Sequence, residues 1–340
     1  MTDNQPTWRM EGNRQGLPLH SDNQTTWDVL GFGAVTVDDL IYVEHYPLPD
    51  MKVAVLDKQR HGGGLVGTAL VAAARVGARA AYAGILGDDD LSQYTLNEFA
   101  REGVDCAPVV IHPEARPIHS MIIVDRNNGQ RSIMASFVSV QWRAAEEITD
   151  ALIARCRVLF VDHHAVEGGL RAIELAHARG IPVVADIERE TEPRSELLAP
   201  LIDHLIVGIG FAQRKTGAAD PVEMVQGLRR LSGGRATCVV TAGERGCWYA
   251  PSAPGATSAS GAPVAHVPAY SVNVVDTTGC GDVFHGVYAA CIAQGEPVSK
   301  AVQVASAAAA LKATQPGGRA GIPSRATIDA FIEQTMSNNP

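Results

Sequence analysis

Val275-Asp276-Thr277-Thr278-Gly279-Cys280-Gly281-Asp282-Val283-Phe284-His285-Gly286 is the stretch that decides the fold. A β-branched run, Val272 to Val275, leads into it, and an apolar segment, Val283 to Ala293, leaves it. That order reads as strand, tight turn, helix. The turn is expected to aim the backbone N–H groups of Gly279, Cys280 and Gly281 at one point, at the positive end of a helix. Such a point holds an anion or a developing negative charge. Asp282 sits in the same turn, where a carboxylate is costly unless it has a task. The natural task is to take a proton from a hydroxyl that attacks the anion held beside it. Those are the parts of a phosphoryl-transfer site. The same residues also describe a helix N-terminus with an acidic first turn and glycines for packing.

The twelve residues resemble the C-terminal signature of the ribokinase (PfkB) family of carbohydrate kinases. The resemblance implies a ribokinase-like α/β fold, doubly wound and mostly parallel, with a small β-sheet lid. It also implies that Asp282 is the catalytic base, that Gly279, Cys280 and Gly281 form the anion hole, and that ATP and Mg²⁺ are used. In many relatives a monovalent cation, K⁺, binds the loops matching Asp276 and Thr278.

The rest of the chain is read against that expectation. Its 340 residues are 46% hydrophobic and 19% charged, enough to bury a large α/β core. The formal net charge of −9 disfavours nucleic acid and anionic membranes as partners. Residues 1–26 are polar, lack the apolar stretch of a secretory signal, and read as a mobile tail. The six cysteines, Cys106, Cys156, Cys238, Cys247, Cys280 and Cys291, form no C-x-x-C pair and read as free thiols of a cytoplasmic protein. Cys280 stands apart, because a helix N-terminus can lower a thiol pKa.

Strand and helix patterns alternate. Trp27 to Val37 reads as a first strand ending near Asp38. Ala80–Ile85, Arg157–Asp162, Pro182–Asp186, His204–Val207 and Thr237–Thr241 read as further strands. Thr68–Val76, Leu91–Glu102, Gly169–Arg179 and Val222–Leu231 read as helices. Such alternation implies a parallel sheet with ligands at the strands' carboxyl ends. Asp38, Asp162, Asp186, Thr241 and Asp276 all fall near expected ends. Residues 27–40, 61–108 and 141–335 are assigned to the core. Residues 41–60 and 109–140, strand-like without helices, are assigned to the lid, through which a homodimer could form.

His61-Gly62-Gly63-Gly64-Leu65-Val66-Gly67-Thr68 precedes the first helix. A glycine triplet there means a turn or a close backbone approach. By resemblance, Gly63 and Gly64 contact the sugar, as do Asp38, Thr68 and Asp282. Thr68 stands where many members carry Asn.

No G-x-x-x-x-G-K-[ST] occurs, and Gly31-Phe32-Gly33 lacks the third glycine of a dinucleotide turn. Val239-Val240-Thr241-Ala242-Gly243-Glu244-Arg245-Gly246 resembles the family's phosphate-side loop. Thr241, Gly243, Gly246, Thr277, Ala309 and Gly317 are thereby expected at the nucleotide, with Arg245 and Lys312 as candidate phosphate clamps. The family's N-x-x-E is replaced, its positions falling on Gly208 and Phe211.

The C-terminal half resembles the branch containing sulfofructose kinase, which phosphorylates a C6-modified ketohexose at its primary C1 hydroxyl. An acidic substrate needs cations, and His163, His164 and Arg131 are the suggestive residues. A neutral ketose stands ahead of a sulfonated one. A nucleoside kinase and a non-catalytic sensor of the same fold are the more distant alternatives.

Overall fold

The structure, a computed structural model, describes residues 26–190, 193–252 and 263–337. The N-terminal tail therefore lies outside the described residues, apart from Thr26. The elements run β1 (Trp27–Phe32), β2 (Thr36–Val43), β3 (Val55–Gly63), α1 (Leu65–Arg75), β4 (Ala80–Tyr82), β5 (Ile85–Leu86) and α2 (Asp90–Arg101). Next come β6 (Val110–Ile111), β7 (Ile118–Asp125), β8 (Arg131–Ser136), α3 (Asp150–Ile153), β9 (Cys156–Asp162), α4 (Val166–Ala178) and β10 (Val183–Asp186). The chain continues with β11 (His204–Gly208), α5 (Ile209–Thr216), α6 (Pro221–Leu231), β12 (Thr237–Thr241), β13 (Cys247–Ala250) and β14 (Ala265–Val267). It closes with α7 (Cys280–Ala293), α8 (Val298–Lys312) and α9 (Arg325–Ser337).

The main sheet has eight strands in the order β14-β13-β12-β11-β10-β9-β1-β4. All pairings from β4 through β12 are parallel, and β13 and β14 are added antiparallel. Both faces are covered, so the central strands are apolar throughout rather than alternating. In β9, Val158 and Phe160 pack with α1, α7 and α8, while Leu159 and Val161 pack with α4, α5 and α6. Each such side chain, fully buried, contributes about 1.5–3 kcal/mol. Among the described residues no helix is long and apolar enough to cross a membrane.

A second, four-stranded sheet has the order β3-β2-β7-β8. It begins at Thr36 and runs through Gly63, so it takes in residues on both sides of 41–60 that were assigned to the core. Trp27–Val37 is therefore not one strand. The chain leaves the main sheet after Phe32 and enters the small one at Thr36. The corner is built on Gly33 (φ +147°), where a Cβ would stand 2.4 Å from the Asp162 carboxylate. Ala34 N donates to that carboxylate at 2.6 Å. Asp38 thus lies within a strand of the small sheet.

Val272–Val275 is not a strand either. Val274 and Val275 are 58% and 57% exposed. Instead of a strand neighbour, Val275 N and Asp276 N donate to Ala313 O at the end of α8, at 2.8 and 3.1 Å. The run has a strand's composition, but the sheets' strands lie elsewhere.

Candidate active site

Gly279 adopts φ +75° and opens α7. A Cβ there would stand 2.7 Å from Gly318 O, so glycine is required by both conformation and space. Cys280 N donates to Thr277 O at 3.2 Å and closes the turn. The Cys280 amide is therefore engaged, which corrects its expected place in the anion hole. The N–H groups of Gly279, Gly281 and Asp282 have no protein acceptor among the described residues and are free to take an anion. The Cys280 thiol is not activated, since burial raises its pKa.

Asp282 lies in the first turn of α7. Burial raises its pKa well above the usual carboxylate value, and the charges of Asp186 and Glu188 add to the rise. His285 and Arg319 oppose it. Asp186, at the end of β10, is raised by burial and by the charges of Glu188 and Asp162. His285, one turn along α7, contacts Gly281 O at 2.7 Å and Ile206 O at 3.0 Å through its two ring nitrogens. Its Nδ1 is 3.3 Å from Asp186 Oδ2. A raised carboxylate pKa makes a stronger base, suited to a hydroxyl near neutral pH.

On the small sheet, successive side chains of β2 point to opposite faces. Asp39 is tied up with Arg60 at 2.7 and 2.8 Å and with His119 at 2.9 Å. Asp38 points the other way, toward Gly63, where a Cβ would stand 2.5 Å from its Oδ2 and 2.4 Å from Thr36 Oγ1. Burial raises the Asp38 pKa; Ser120, Thr36 and Arg319 act against the rise. Thr36 Oγ1 is buried without a protein hydrogen bond. Asp38, Thr36 and the Gly63 backbone thus frame a polar recess. Gly64 (φ +88°) turns the chain into α1 against the Ala34 carbonyl.

Thr68 does not join that recess. It is 1% exposed, and its Oγ1 accepts from Arg319 Nε at 3.3 Å. Its task is to hold Arg319.

Asp276 accepts from Thr278 N and Oγ1 at 2.8 and 2.7 Å and from Gly317 N at 2.9 Å. Burial works against its charge, but these donors prevail and hold its pKa at about 2. Lys312 is fully buried and donates to Asp276 O at 2.7 Å, so it braces the turn. Arg245 is solvent-exposed. Thr241 ends β12, and Gly243 and Gly246 (φ +56° and +79°) make the turn into β13. Cys247 Sγ meets Ser306 Oγ at 3.6 Å, which joins that turn to the helix bearing Ala309. Thr277 and Gly317 flank Asp276.

The expected cations for an acidic substrate do not materialise. Burial lowers the pKa of His163 to about 3 and of His164 to about 4, so both are neutral at pH 7. His164 lies 5.7 Å from the Trp142 ring, stacked. Arg131 Nη1 is 3.5 Å from Asp276 Oδ1.

Arg319, Glu188 and His285 act on Asp282 and were not singled out by motif reading; Asp186, expected only as a strand-end residue, joins them. The signal for Arg319 was its place in the glycine-rich loop after Lys312, together with Gly67, a glycine inside α1 without a turn to make.

Free amides at the head of α7, a buried carboxylate beside them and a polar recess framed by Asp38 and Thr36 suit phosphoryl transfer onto a hydroxyl. The family model of the pfkB family carbohydrate kinases matches residues 28–325, and the chain belongs to that family. It is a carbohydrate kinase, transferring phosphate from ATP to a sugar hydroxyl. It is 25% identical over 308 residues to a ribokinase of Haemophilus influenzae, covering 88% of this chain and 97% of that one. It is 26% identical over 292 residues to a fructokinase of Vibrio alginolyticus, covering 80% and 92% respectively. A crystal structure of a candidate ribokinase from Agrobacterium tumefaciens superposes with a TM-score of 0.81 at 30% identity, covering 92% of this chain and 99% of that one.

Proposed function

We propose that the enzyme moves the γ-phosphoryl group of ATP onto a primary hydroxyl of a neutral ketose. The observation that carries this reading is Asp282 in the first turn of α7, beside free amides and within the field of Arg319. In the reaction, Asp282 takes the hydroxyl proton as the oxygen attacks. The Gly279, Gly281 and Asp282 amides hold the transferring group, and Asp38 accepts from neighbouring sugar hydroxyls. Support for a ketose comes from the C-terminal resemblance noted above. Support for a neutral one comes from the uncharged His163–His164 pair and from Arg131 being committed to Asp276. A sulfonated ketose, as in the sulfofructose kinase branch, shares the C-terminal resemblance but not the support from the uncharged histidines and Arg131. The decisive experiment is ADP release with a panel of ketoses, aldoses, a sulfonated ketose and nucleosides. A neutral ketose is expected to give the highest kcat/KM. A higher value for a nucleoside or a sulfonated sugar overturns the reading.

Mg²⁺ fits this site as the nucleotide's ion. Gly208 offers no side chain and Phe211 is 5% exposed in the core, so the replaced N-x-x-E supplies no carboxylate. Asp186 and Glu188, on the neighbouring strand end, are the acidic groups facing Asp282. When bound, the ion neutralises the phosphate charge and keeps mostly phosphate and water ligands.

The small sheet is proposed as a lid. Water must be excluded for transfer to reach the sugar. Hydrogen exchange in residues 36–63 and 118–136 is expected to slow several-fold when sugar binds. Unchanged exchange at saturating sugar removes the lid. Val55, Met121, Ile133 and Met134 on this sheet are exposed, and we propose that a second copy of the chain covers them. A cytoplasmic location accords with the free thiols.

We also propose that K⁺ supports the anion-binding turn through Asp276 and Thr278. The support is a half-buried carboxylate that stays ionised beside the carbonyl-rich loop 315–321. Replacing KCl with Tris chloride at matched ionic strength is expected to lower kcat. Equal rates leave Asp276 as a structural acceptor only.

A further inference from the structure

Arg319 belongs to the loop between α8 and α9, yet its side chain crosses to the sugar recess. It is 8% exposed. Nη2 donates to Gly63 O at 2.7 Å, and Nε donates to Thr68 Oγ1 at 3.3 Å. The guanidinium carbon lies 5.7 Å from the centre of the Phe99 ring. Two glycines make its slot. A Cβ on Gly62 would stand 2.3 Å from Nη1, and one on Gly67 would stand 2.6 Å from Nη2. The glycine-rich run 62–67 is thus shaped around this cation as well as around a turn.

The guanidinium is held along one edge only. Nη1 donates to no protein group among the described residues. It is also not among the atoms sealed from solvent without a partner. Its free N–H groups therefore face accessible space. The charges acting on Arg319 are, largest first, Glu98, then Asp38 and Asp282, the two carboxylates of the site, and last Glu102. Burial lowers its pKa only to about 10, so it is a cation at neutral pH. A largely buried guanidinium with one donor edge open to solvent is placed to exchange water for a ligand oxygen. The loop does not need that edge for its own fold. Arg75 Nη1 holds Arg319 O at 2.8 Å and Ile322 O at 3.1 Å, and Glu102 holds Arg75.

We propose that Arg319 is a sugar-specificity residue, its Nη1 donating to a neutral oxygen of the sugar close to the hydroxyl that Asp282 activates. This rests on the sugar-kinase reading above. Asp38 accepts from sugar hydroxyls and Arg319 donates to one, so the pair fixes the orientation of the polyol. The carboxylates of Asp38 and Asp282 both face this guanidinium. A hydroxyl, ring or carbonyl oxygen is therefore the fitting acceptor, and an anionic substituent is not. The orientation of Nη1 is settled before the sugar arrives, so its contribution is to binding, common to ground and transition states. Removing it raises KM and leaves kcat nearly unchanged.

The test uses the full-length enzyme with its best sugar. Arg319→Lys keeps the charge and one donor for Gly63 O but loses the Nη1 edge. Its sugar KM is expected to rise about 10- to 100-fold, as for a lost hydrogen bond to a charged group. Its kcat and its ATP KM are expected to stay within about threefold. One monodeoxy analogue should cost the wild type a similar factor and cost Arg319→Lys less than about threefold, because the partner is already gone. Gly62→Ala is the second variant. The added methyl displaces the flexible end of Arg319 without touching the backbone, and the same pattern is expected. A folded variant of either kind with sugar KM within threefold of wild type overturns the proposal. So does an ATP KM that rises as much as the sugar KM, which marks a strut between loops. A wild-type enzyme that turns over no sugar overturns the kinase reading itself.

Discussion

Asp282→Asn lowers kcat by about 10²–10⁴-fold, the usual worth of a positioned general base. The asparagine is isosteric and keeps the first turn of α7, but it cannot take the hydroxyl proton. Nucleotide binding should survive, because the amides of Gly279 and Gly281 remain. A steady-state assay at saturating ATP and sugar reads the effect, and a variant with more than half the wild-type kcat rules Asp282 out as the base. The pH profile adds a second reading. The Asp282 pKa is raised by burial and by Asp186 and Glu188. The ionised form is the active one, so kcat/KM is high above the raised pKa and falls as pH drops through it. The acid limb should lie well above the roughly pH 4 of an ordinary carboxylate. Glu188→Gln removes one of the raising charges and should move that limb to lower pH. An unmoved limb means that the limb belongs to another group. Stability runs the opposite way. The raised carboxylates destabilise the fold when ionised, so their best contribution is below the ordinary carboxylate pKa and is lost as pH rises through the raised values.

Gly286→Ala is expected to destabilise the whole fold. Gly286 lies on α7 where that helix meets α1. A Cβ there would stand 2.0 Å from Ala69 O, 2.6 Å from Ala69 C and 2.7 Å from Ala69 Cα. These are backbone atoms inside a helix, so no side chain can swing aside. Overpacking of this kind costs about 1–3 kcal/mol or more. The helix propensity gained by replacing glycine, about 1 kcal/mol, does not offset it. The urea midpoint should fall, and Gly286→Leu should leave no cooperative transition. An unchanged midpoint for Gly286→Ala means that the helices can separate freely. Activity in the surviving Gly286→Ala protein is a further readout. The N-terminus of α1 carries the glycine run, and the N-terminus of α7 carries the anion-binding turn. Wedging the helices apart separates Asp38 and Arg319 from Asp282.

Several features were legible in the sequence because their causes are local. A strand buried on both faces must be apolar throughout, so Thr237–Thr241 and Arg157–Asp162 could be read from their own residues. The small-sheet strand Arg131–Ser136 was legible for a related reason, its strand-like alternation in a stretch without a helix. The turn at Gly279 was legible because only glycine takes φ +75° easily, and the place of Asp282 in the first turn of α7 because it follows that glycine by three residues. Family membership followed from that local chemistry, repeated over twelve residues.

The tertiary structure decided what depends on residues far apart in the chain. Trp27–Val37 has the composition of one strand. It splits at Gly33 because Asp162, on β9, occupies the space a side chain would need. Val272–Val275 has the composition of a strand, but no sheet edge reaches it. The pKa values of His163 and His164 depend on burial, which composition does not encode. Arg319 is the clearest case. In sequence it is one charged residue in a glycine-rich loop, indistinguishable from a solvated side chain. Folding draws it more than 250 positions back along the chain to Gly63 O and beside Asp38. Charge and hydrogen bonding act through space, so a cation's partners are fixed only when the fold has brought them together.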